Sequence, residues 1–487
     1  MDEGLILLLV GAVLAASVLV ALGASRAGVP SLVAFLVLGM LLGSDGLGGI
    51  EFNDAELARK VGVVGLTAIL FEGGLATSWR RLRDVAVPAA LLGTVGVAVT
   101  AVLAGLAAYA LFDLTWLESV LLGAVVSSTD AAAVFATLRF THIRRRLART
   151  LEGETGGNDP MAVALTIGLI EWIQEPSFAF DDLVLLVVRQ LGLGLLVGVV
   201  LGFAATRVFG RLPESIGVFA PVASVAAGAL SFGVADVLGG SGFLAVYIVG
   251  LAVGSTPSRY RRQLVAFHAG LAFQAQVAMF VVLGLLVFPH DLPPVALSGL
   301  ALSALLVLGI RPIAVWISTA LSKFTWRERS LLGWAGLRGA VPIVLGTFAL
   351  SELSQGEGNG ETIFNAVFFV VLVSTLVQGT TLEWVAERLH VLDPAPRPVT
   401  RPLELDPLSS LDLVEFPVTE EHAIVGAAVR EVGLPRSALI ALVARGNDTI
   451  PPRGSTVIRS GDRLFVLVPH DRRPDLEDVF VRWRRRV

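Results

Sequence analysis

Two aspartates lie in otherwise apolar stretches of the chain, and hydroxyl side chains stand close to each of them. Asp130 directly follows Ser128 and Thr129, and Asp159 lies four residues after Thr155. Hydroxyl and carboxylate oxygens are ligands that hard cations prefer, and a carboxylate also takes up protons. The spacing therefore predicts a binding site for an alkali cation or a proton. The competing interpretation is a carboxylate that a neighbouring arginine neutralises and that serves packing alone.

The run around Asp159 divides its polar side chains between two faces of a helix. Residues i and i+4 share a face, so Thr155 and Asp159 point one way, whereas Glu154 and Asn158 point to an adjacent face. We expect the first pair to bind the ion and the second to be held by a basic partner. Arg338 is the expected partner of Glu154, which makes Glu154 a member of a structural ion pair.

Glycine and proline surround Arg338 in the run 336–342, and hydroxyls surround Asp130. Both patterns indicate a helix that is interrupted within the membrane, and two interrupted helices in corresponding halves of a chain indicate a transport site. An arginine at such a break compensates exposed carbonyl groups. We therefore expect a supporting role for Arg338.

Four further ionisable residues lie in apolar stretches, namely Glu72, Arg189, His268 and Arg311. Glu72 is either a carboxylate on the access path or a charge that reaches the membrane interface. We expect Arg189 and Arg311 to pack or to extend toward the interface. For His268 we favour a hydrogen-bonded packing role over pH sensing.

The composition excludes an ordinary soluble protein. The chain has 487 residues, of which 54% are hydrophobic and only 16% charged, whereas soluble domains carry about 25% charged residues. The net charge is −4 and no segment is densely basic, so nucleic acid is not an expected partner. The sequence has no cysteine, which excludes disulfides and thiolate metal sites, and we expect no cofactor.

The apolar segments predict an all-α polytopic membrane protein. Thirteen stretches are as long as a membrane-spanning helix or slightly shorter, at residues 4–23, 29–43, 61–77, 85–111, 117–138, 153–173, 183–210, 215–233, 240–255, 264–288, 293–321, 331–350 and 362–387. Lysine and arginine collect in every second connection, a bias that marks the cytoplasmic side. We expect the N-terminus outside and the C-terminus in the cytoplasm of a bacterial or archaeal cell, with the chain in the cytoplasmic membrane.

An internal repeat relates the two halves of this membrane region. With a shift of about 210 residues, Phe35–Ser44 aligns with Val246–Ser255, and Leu121–Gly123 aligns with Leu331–Gly333. Spans 1–6 then recur as spans 8–13, and the odd number of spans between equivalents inverts the second copy. We therefore expect two inverted six-helix repeats with discontinuous helices.

The character of the chain changes after the last apolar segment. We assign residues 1–390 to a transmembrane exchanger domain, 391–413 to a proline-rich linker and 414–487 to a small cytoplasmic α/β module. In this module we expect strands near 414–418 and 438–444, a helix at 423–432, two strands around Ser460-Gly461-Asp462, and a helical tail. Its charges are nearly balanced, which suggests a regulatory or dimerising role.

With these motifs in place, residues 4–388 resemble the monovalent cation:proton antiporter-1 family, the NhaP-like Na⁺/H⁺ and K⁺/H⁺ exchangers. The resemblance rests on FEGG at 71–74, SSTDAAAVFATLR at 127–139, ETGGNDPMAV at 154–163 and GLRGAVP at 336–342. It implies that Asp159 binds the ion and the proton, and that Asp130, Thr129 and Thr155 complete the site. It also implies electroneutral exchange, because electrogenic relatives have aspartate where this chain has Asn158. The residues of the DAAAVF and NDPMA segments resemble those of the potassium-type subgroup most.

Residues 414–470 resemble the C-terminal lobe of an RCK (TrkA-C) domain. Such lobes dimerise and some bind cyclic di-AMP, so the resemblance implies a homodimer and a nucleotide effector as possible partners. The Rossmann lobe that often precedes them is missing, so NAD or ATP binding is not implied.

These interpretations predict a secondary transporter, not an enzyme, in which cation and proton compete for Asp159. Spans 3–6 and 10–13 are expected to move as a core against a scaffold. An intramembrane aspartyl protease using Asp130 and Asp159 is the alternative from another class, although its Gly-x-Gly-Asp signature is absent. A cation channel is the third possibility. The sequence leaves the choice between Na⁺ and K⁺ open.

Overall fold

The computed structural model of the chain divides into two units, Met1–Leu392 and Asp393–Val487. It describes residues 3–27, 30–137, 143–211, 219–256, 258, 260–353, 359–392, 399–402, 411–446, 448–469 and 472–484. The last two positions of the motif at 127–139 therefore lie outside the described residues, as does Asn447 of the module.

Helices make up the first unit. They are α1 Glu3–Ala27, α2 Ser31–Leu42, α3 Ala55–Ala76, α4 Trp79–Leu82, α5 Ala86–Leu91, α6 Val97–Leu111, α7 Trp116–Val125, α8 Ala131–Thr137, α9 Arg145–Gln174, α10 Phe180–Arg211, α11 Ala220–Val237, α12 Gly242–Ser255, α13 Arg261–Leu285, α14 Pro293–Leu305, α15 Arg311–Ser318, α16 Trp326–Trp334, α17 Ala340–Leu353 and α18 Gly360–Arg388.

Each predicted apolar segment carries a helix or a pair of short helices. A 3₁₀ turn at Arg83–Val85 and a π turn at Leu92–Gly96 join α4, α5 and α6, and a π turn at Leu306–Ile310 joins α14 to α15. Within the described ranges, six helices are long and apolar enough to cross a membrane. The count of thirteen crossings stays a prediction.

Matching capping motifs start α7 and α16. Thr115 accepts the amide hydrogen of Glu118, and the Glu118 carboxylate accepts the amide hydrogen of Thr115 at 2.9 Å. Thr325 and Glu328 repeat this arrangement at the start of α16. Such reciprocal bonds satisfy amides that a helix start leaves without partners. Thr115 and Thr325 are as far apart in the chain as the two copies of the sequence repeat. Both halves therefore begin their broken helix in the same way.

The two predicted interruptions are present, and they cross each other. α7 stops at Val125 and α8 starts at Ala131, whereas α16 stops at Trp334 and α17 starts at Ala340. The backbone amide of Asp130 in the first break donates to the carbonyl of Leu337 in the second, at 2.8 Å. A side-chain carbon on Gly339 would overlap the Asp130 carboxylate. Glycine is therefore required where the breaks meet.

Close glycine contacts bind spans 2, 3, 9 and 10 into one cluster. Gly39 of α2 meets α13 at Gly284, where an added carbon would lie 2.8 Å from the Gly284 Cα. Gly250 of α12 meets α3, where an added carbon would lie 2.5 Å from the Phe71 carbonyl oxygen. Small residues allow such close helix approach in membranes. Gly65 of α3 in turn packs on Met279 of α13, which joins the two pairs of spans, while Gly62 brings α3 against Val344 of the broken helix as well.

The chain that leaves α18 is fastened to the start of α9. Ile143 and Leu392 form an antiparallel bridge, and the Arg144 amide donates to the Val391 carbonyl at 3.1 Å. The Arg144 guanidinium donates to the His390 carbonyl at 3.3 Å and also pairs with Glu328 at 3.4 Å. We call this set of contacts the exit clasp.

The second unit is a five-stranded antiparallel sheet with one helix described on it. Its elements are β1 Val399–Pro402, β2 Leu411–Pro417, β3 Leu439–Arg445, β4 Asp448–Ile450, β5 Asp462–Pro469 and α19 Arg473–Arg484, in sheet order β1-β2-β5-β3-β4. Phe416 stacks on Phe480 of α19 with ring centroids 4.8 Å apart, and the Trp483 indole donates to the Val432 carbonyl. β1 lies in the segment predicted to be a linker, and α19 agrees with the predicted helical tail.

Two predictions for this unit are wrong. The predicted helix at 423–432 is a loop with a 3₁₀ turn at Val429–Glu431, and the predicted strand before Ser460 is reduced to one bridge between Ala428 and Val457. The amides of Gly426 and Val429 donate across to the carbonyls of Ile458 and Thr456. Gly426 also has φ +90°, which an α-helix does not allow.

Candidate ion-binding site

The predicted ion-binding run lies in the middle of α9, at a point where the helix is locally weakened. Pro160 has no amide hydrogen, so it cannot donate to the carbonyl of Gly156 one turn earlier. Gly156 and Gly157 add no side chains that would keep neighbouring helices away. Asp159 is only 3% exposed at this point, so its carboxylate lies inside the protein.

The first helix break brings its hydroxyls onto this run. The Ser128 hydroxyl donates to Asp159 Oδ1 at 2.5 Å. Both residues are buried. The structure therefore joins the carboxylate of one span to a hydroxyl of the interrupted span.

Thr129 lies at the centre of the contacts between the break and α9. Its hydroxyl donates to Glu154 Oε1 at 3.2 Å and accepts from the Asn158 amide at 2.6 Å. Its carbonyl accepts from Asn158 at 3.1 Å and from the Thr155 hydroxyl at 3.3 Å. The Thr155 hydroxyl in turn accepts from the amide of Ala131 at 3.1 Å. Because the predicted residues hold one another, the site is a pre-formed set of oxygen atoms.

Asp130 contributes to the architecture of the break. Its Oδ1 accepts the amide hydrogen of Ala133 at 3.1 Å, which caps the start of α8. Its own amide bonds to Leu337, as described above. Direct contact of Asp130 with an ion stays a prediction.

The predicted pairing of Glu154 with Arg338 is wrong. Arg311 donates to Glu154 Oε1 at 2.5 Å, and the side chains of both residues are 2% exposed or less. Arg311 is therefore buried, as a packing role requires, and does not reach the interface; it is also the charged partner that the buried Glu154 carboxylate requires. Arg311 and Arg338 both lie in apolar segments, so the sequence does not show which of them pairs with Glu154. The packing of the helices decides it.

Arg338 serves the second break. Its guanidinium donates to the carbonyl of Gly336 at 3.0 Å, and its amide donates to the Ser374 hydroxyl at 3.1 Å. Thr375 donates to the Arg338 carbonyl at 2.9 Å. This agrees with the expectation that Arg338 compensates carbonyl groups where the helix is interrupted.

The remaining candidate residues lie apart from these contacts. Glu72 is half-buried on α3, and within the described part of the chain it forms no hydrogen bond with Asp159. His268 is buried, bonds to the Ser224 hydroxyl at 2.7 Å and packs on Phe71 with ring centroids 4.6 Å apart. This agrees with a packing role for His268. For Glu72 both predicted alternatives stay open, a carboxylate on the access path and a charge that reaches the interface.

A large cavity opens between α3, α13, α17 and α18. Its volume is about 1070 Å³, and carboxylates line it at Asp54, Glu56, Asp291, Glu352 and Glu361. No sequence motif indicated this cavity. The signal for it was the acidic residues in the connections that lack the lysine and arginine clusters. No group of three or more His, Asp or Glu side chains suited to a resident metal ion occurs among the described residues.

Comparisons with known proteins identify two families in the chain. Residues 12–388 match the family described as sodium/hydrogen exchanger, transmembrane, and residues 413–481 match the TrkA-C domain. The K(+)/H(+) antiporter NhaP2 of Shewanella sp. (strain MR-4) is 40% identical over 465 residues, covering 94% of this chain and 80% of that protein. The K(+)/H(+) antiporter NhaP of Alkalimonas amylolytica is 37% identical, covering 98% of this chain and 83% of that protein.

A more distant relative and a solved structure extend the comparison. The Na(+)/H(+) antiporter ApNhaP of Aphanothece halophytica is 30% identical, covering 71% of this chain and 68% of that protein. The sodium proton antiporter MjNhaP1 from Methanocaldococcus jannaschii superposes with a TM-score of 0.70 at 22% identity, over 80% of this chain and 99% of that chain. This likeness shows a shared fold.

Membership in a family of exchangers overturns the aspartyl protease alternative and favours antiport over a channel. The chain belongs to the sodium/hydrogen exchanger family and is a membrane antiporter with a TrkA-C domain, not an enzyme.

Proposed function

We propose that the protein exchanges a monovalent cation, K⁺ in preference to Na⁺, for protons at one site around Asp159. The observation that carries the proposal is the buried Asp159 carboxylate on α9, held by the Ser128 hydroxyl of the first helix break, whose neighbour Thr129 contacts Thr155 one turn before Asp159. The preference for K⁺ rests on the names of the relatives that are 37–40% identical over most of the chain.

Competition for one carboxylate provides the coupling. A buried carboxylate is costly to leave charged and unpaired, so it holds either a proton or a cation. The two ligands need the same oxygen atoms and exclude each other. An empty, charged site is disfavoured, which prevents the carrier from returning without cargo.

One exchangeable carboxylate supports electroneutral exchange. Glu154 is committed to Arg311, and Asn158 is a neutral amide that donates to Thr129. If Asp159 alone changes its occupant, one proton replaces one monovalent cation and no net charge moves. We therefore expect the exchange rate to be independent of membrane potential.

The packing suggests which helices move. Spans 2, 3, 9 and 10 form the glycine-mediated cluster, so we assign them to the scaffold and spans 4–6 and 11–13 to the moving core. This revises the expectation that spans 3 and 10 belong to the core. The bundle end that carries Arg144–Arg149 is proposed to face the cytoplasm, with the N-terminus outside.

The TrkA-C domain is proposed to regulate exchange from the cytoplasm as part of a homodimer. Cyclic di-AMP is the candidate effector, on the resemblance of this module to lobes that bind it. A titration of exchange rate and dimer mass with cyclic di-AMP tests both statements.

The central test is transport by the full chain in proteoliposomes. Asp159→Asn keeps the size of the side chain but removes the exchangeable charge, and it should abolish K⁺-driven proton movement. Asp113→Asn, a matched change at an exposed position, should leave the rate unchanged. Exchange that persists in Asp159→Asn would reject the site, and a rate that follows an imposed potential would reject electroneutrality. Parallel Na⁺ and K⁺ gradients decide the preferred cation.

A further inference from the structure

Tyr247 is a buried tyrosine that the ion site described above does not use. It lies on α12, in the scaffold, and is 6% exposed. Its ring packs directly against Gly156 of α9, where an added side-chain carbon would overlap the ring and its hydroxyl. Gly156 precedes Asp159 by less than one helical turn. The tyrosine therefore touches the ion-binding run from the opposite side of the core–scaffold interface.

The Tyr247 hydroxyl is poorly satisfied at this position. It has no hydrogen-bond partner of acceptable geometry among the described residues. The nearby Thr77 hydroxyl donates its proton to the Gly73 carbonyl at 2.8 Å, so toward Tyr247 it can only accept. Glu152 and Asp159 are the charged groups in its surroundings. No described group donates to the Tyr247 oxygen, so its lone pairs are free to contact a cation.

Apolar side chains surround the tyrosine and form a wall along α9. Tyr247 clusters with Leu82, Val85 and Leu251. Leu82 packs on Gly153, where an added carbon would overlap it. Gly153 and Gly156 lie between Asp159 and the arginine-rich start of α9, so the wall closes the route from that end. The 1070 Å³ cavity lies at the other end of the bundle, where α3 and the end of α13 on the scaffold side face the core helices α17 and α18.

A dehydrated cation cannot cross an apolar wall unless oxygen atoms replace its water. Within this cluster of Leu82, Val85, Ile248, Leu251 and Tyr247, the tyrosine hydroxyl is the polar side-chain group. Oxygen ligands along a path lower the free-energy cost of the dehydrated ion. The hydroxyl lies where an ion that leaves Asp159 toward the arginine-rich end would first meet the scaffold.

We propose that Tyr247 is a positioning residue of the scaffold, whose ring closes the cytoplasmic side of the site and whose hydroxyl contacts the cation as it passes between Asp159 and the cytoplasm. This inference rests on the proposed function, and it adds a residue of the scaffold to a site otherwise built from the core.

The test compares Tyr247→Phe with Tyr109→Phe in proteoliposomes. Both variants lose one hydroxyl, and Tyr109 is 57% exposed on α6. Tyr247→Phe should raise the KM for K⁺ on the cytoplasmic side about five-fold, with the maximal rate within about two-fold of wild type. Tyr109→Phe should change neither quantity. A merely structural role would lower the amount of active protein and hence the maximal rate, but it would leave the KM unchanged.

A second variant tests the ring. Tyr247→Ala removes the wall beside Gly156 and should allow K⁺ to cross without a counter-moving proton, measured as more than one K⁺ released per proton taken up, whereas wild type should release one. An unchanged KM in Tyr247→Phe together with tight coupling in Tyr247→Ala would overturn the inference. Failure of the proposed function is distinguishable, because wild type itself would then show no exchange, or Asp159→Asn would retain it.

Discussion

The ion pair between Arg311 and Glu154 provides a sharp test of how the site is held. Arg311→Met removes the charge but keeps an unbranched apolar side chain, and it leaves Glu154 buried at 1% exposure with only the Thr129 hydroxyl as a described donor. Loss of one partner of a buried pair costs about 3–5 kcal/mol, because the remaining charge is uncompensated. We expect this loss in the free energy of unfolding of the detergent-solubilised protein, measured by reversible denaturant titration.

The double variant separates the cost of an unpaired charge from the loss of packing. Arg311→Met combined with Glu154→Gln removes both charges and should recover most of the stability, since replacing a buried pair by neutral groups is often close to neutral. Arg59→Met is the matched control, because Arg59 pairs with Glu352 at 3.1 Å but the two side chains are 29% and 39% exposed. That change should cost less than about 1 kcal/mol. The reasoning is refuted if Arg311→Met is as mild as Arg59→Met, or if the double variant is no more stable than the single one.

Three other perturbations have defined outcomes. Gly339→Ala should lower the exchange rate at least ten-fold, because the added carbon would overlap the Asp130 carboxylate where the breaks cross. Gly270→Ala is the control and should leave the rate unchanged, since no atom lies within 4 Å of the added carbon. Equal rates in the two variants would contradict the crossing of the breaks. Thr129→Val keeps the shape of the side chain but leaves Glu154 and Asn158 short of a partner, so the KM for K⁺ should rise about five-fold or more, and an unchanged KM would remove Thr129 from the site. In the module, burial raises the pKa of Asp462, but hydrogen bonds from Arg445 and from the Arg459 amide outweigh it and lower the pKa below its ordinary value. The resulting stability is present above the unfolded pKa of about 3.9 and is lost as the pH falls through the lowered pKa of the folded state. Amide hydrogen exchange of β5, corrected for its intrinsic rate, should therefore accelerate below about pH 4 in wild type. The acceleration should be much smaller in Asp462→Asn.

The sequence was sufficient to predict helix breaks and buried polar contacts where the relevant signal is local. The hydroxyls before Asp130 and the Gly–Pro surroundings of Arg338 are unusual within apolar spans, and they correctly indicated the two breaks. The glycines and proline around Asp159 do not break α9, which is continuous from Arg145 to Gln174. The repeat was visible because both halves need glycine at equivalent crossings, as at Gly39 and Gly250.

The sequence was insufficient where the choice depends on packing between distant segments. Arg311 and Arg338 look alike as charges in apolar stretches, and the contact of Arg311 with Glu154 follows from the way α15 approaches α9. The loop at 423–432 was mistaken for a helix because its hydrogen bonds go to residues 454–458. Tyr247 gave no signal at all, since its position beside Gly156 depends on α12 crossing α9.

The exit clasp has a mechanical consequence for the whole protein. Arg144, Val391 and Leu392 tie the last stretch of the membrane unit to the first turn of the helix that carries Glu154 and Asp159. Any pull on the chain beyond Leu392 is therefore loaded onto that helix first, with Glu328 at the start of a broken helix sharing the load through Arg144. The helix that bears Asp159 is thus also the point at which the end of the membrane unit is held.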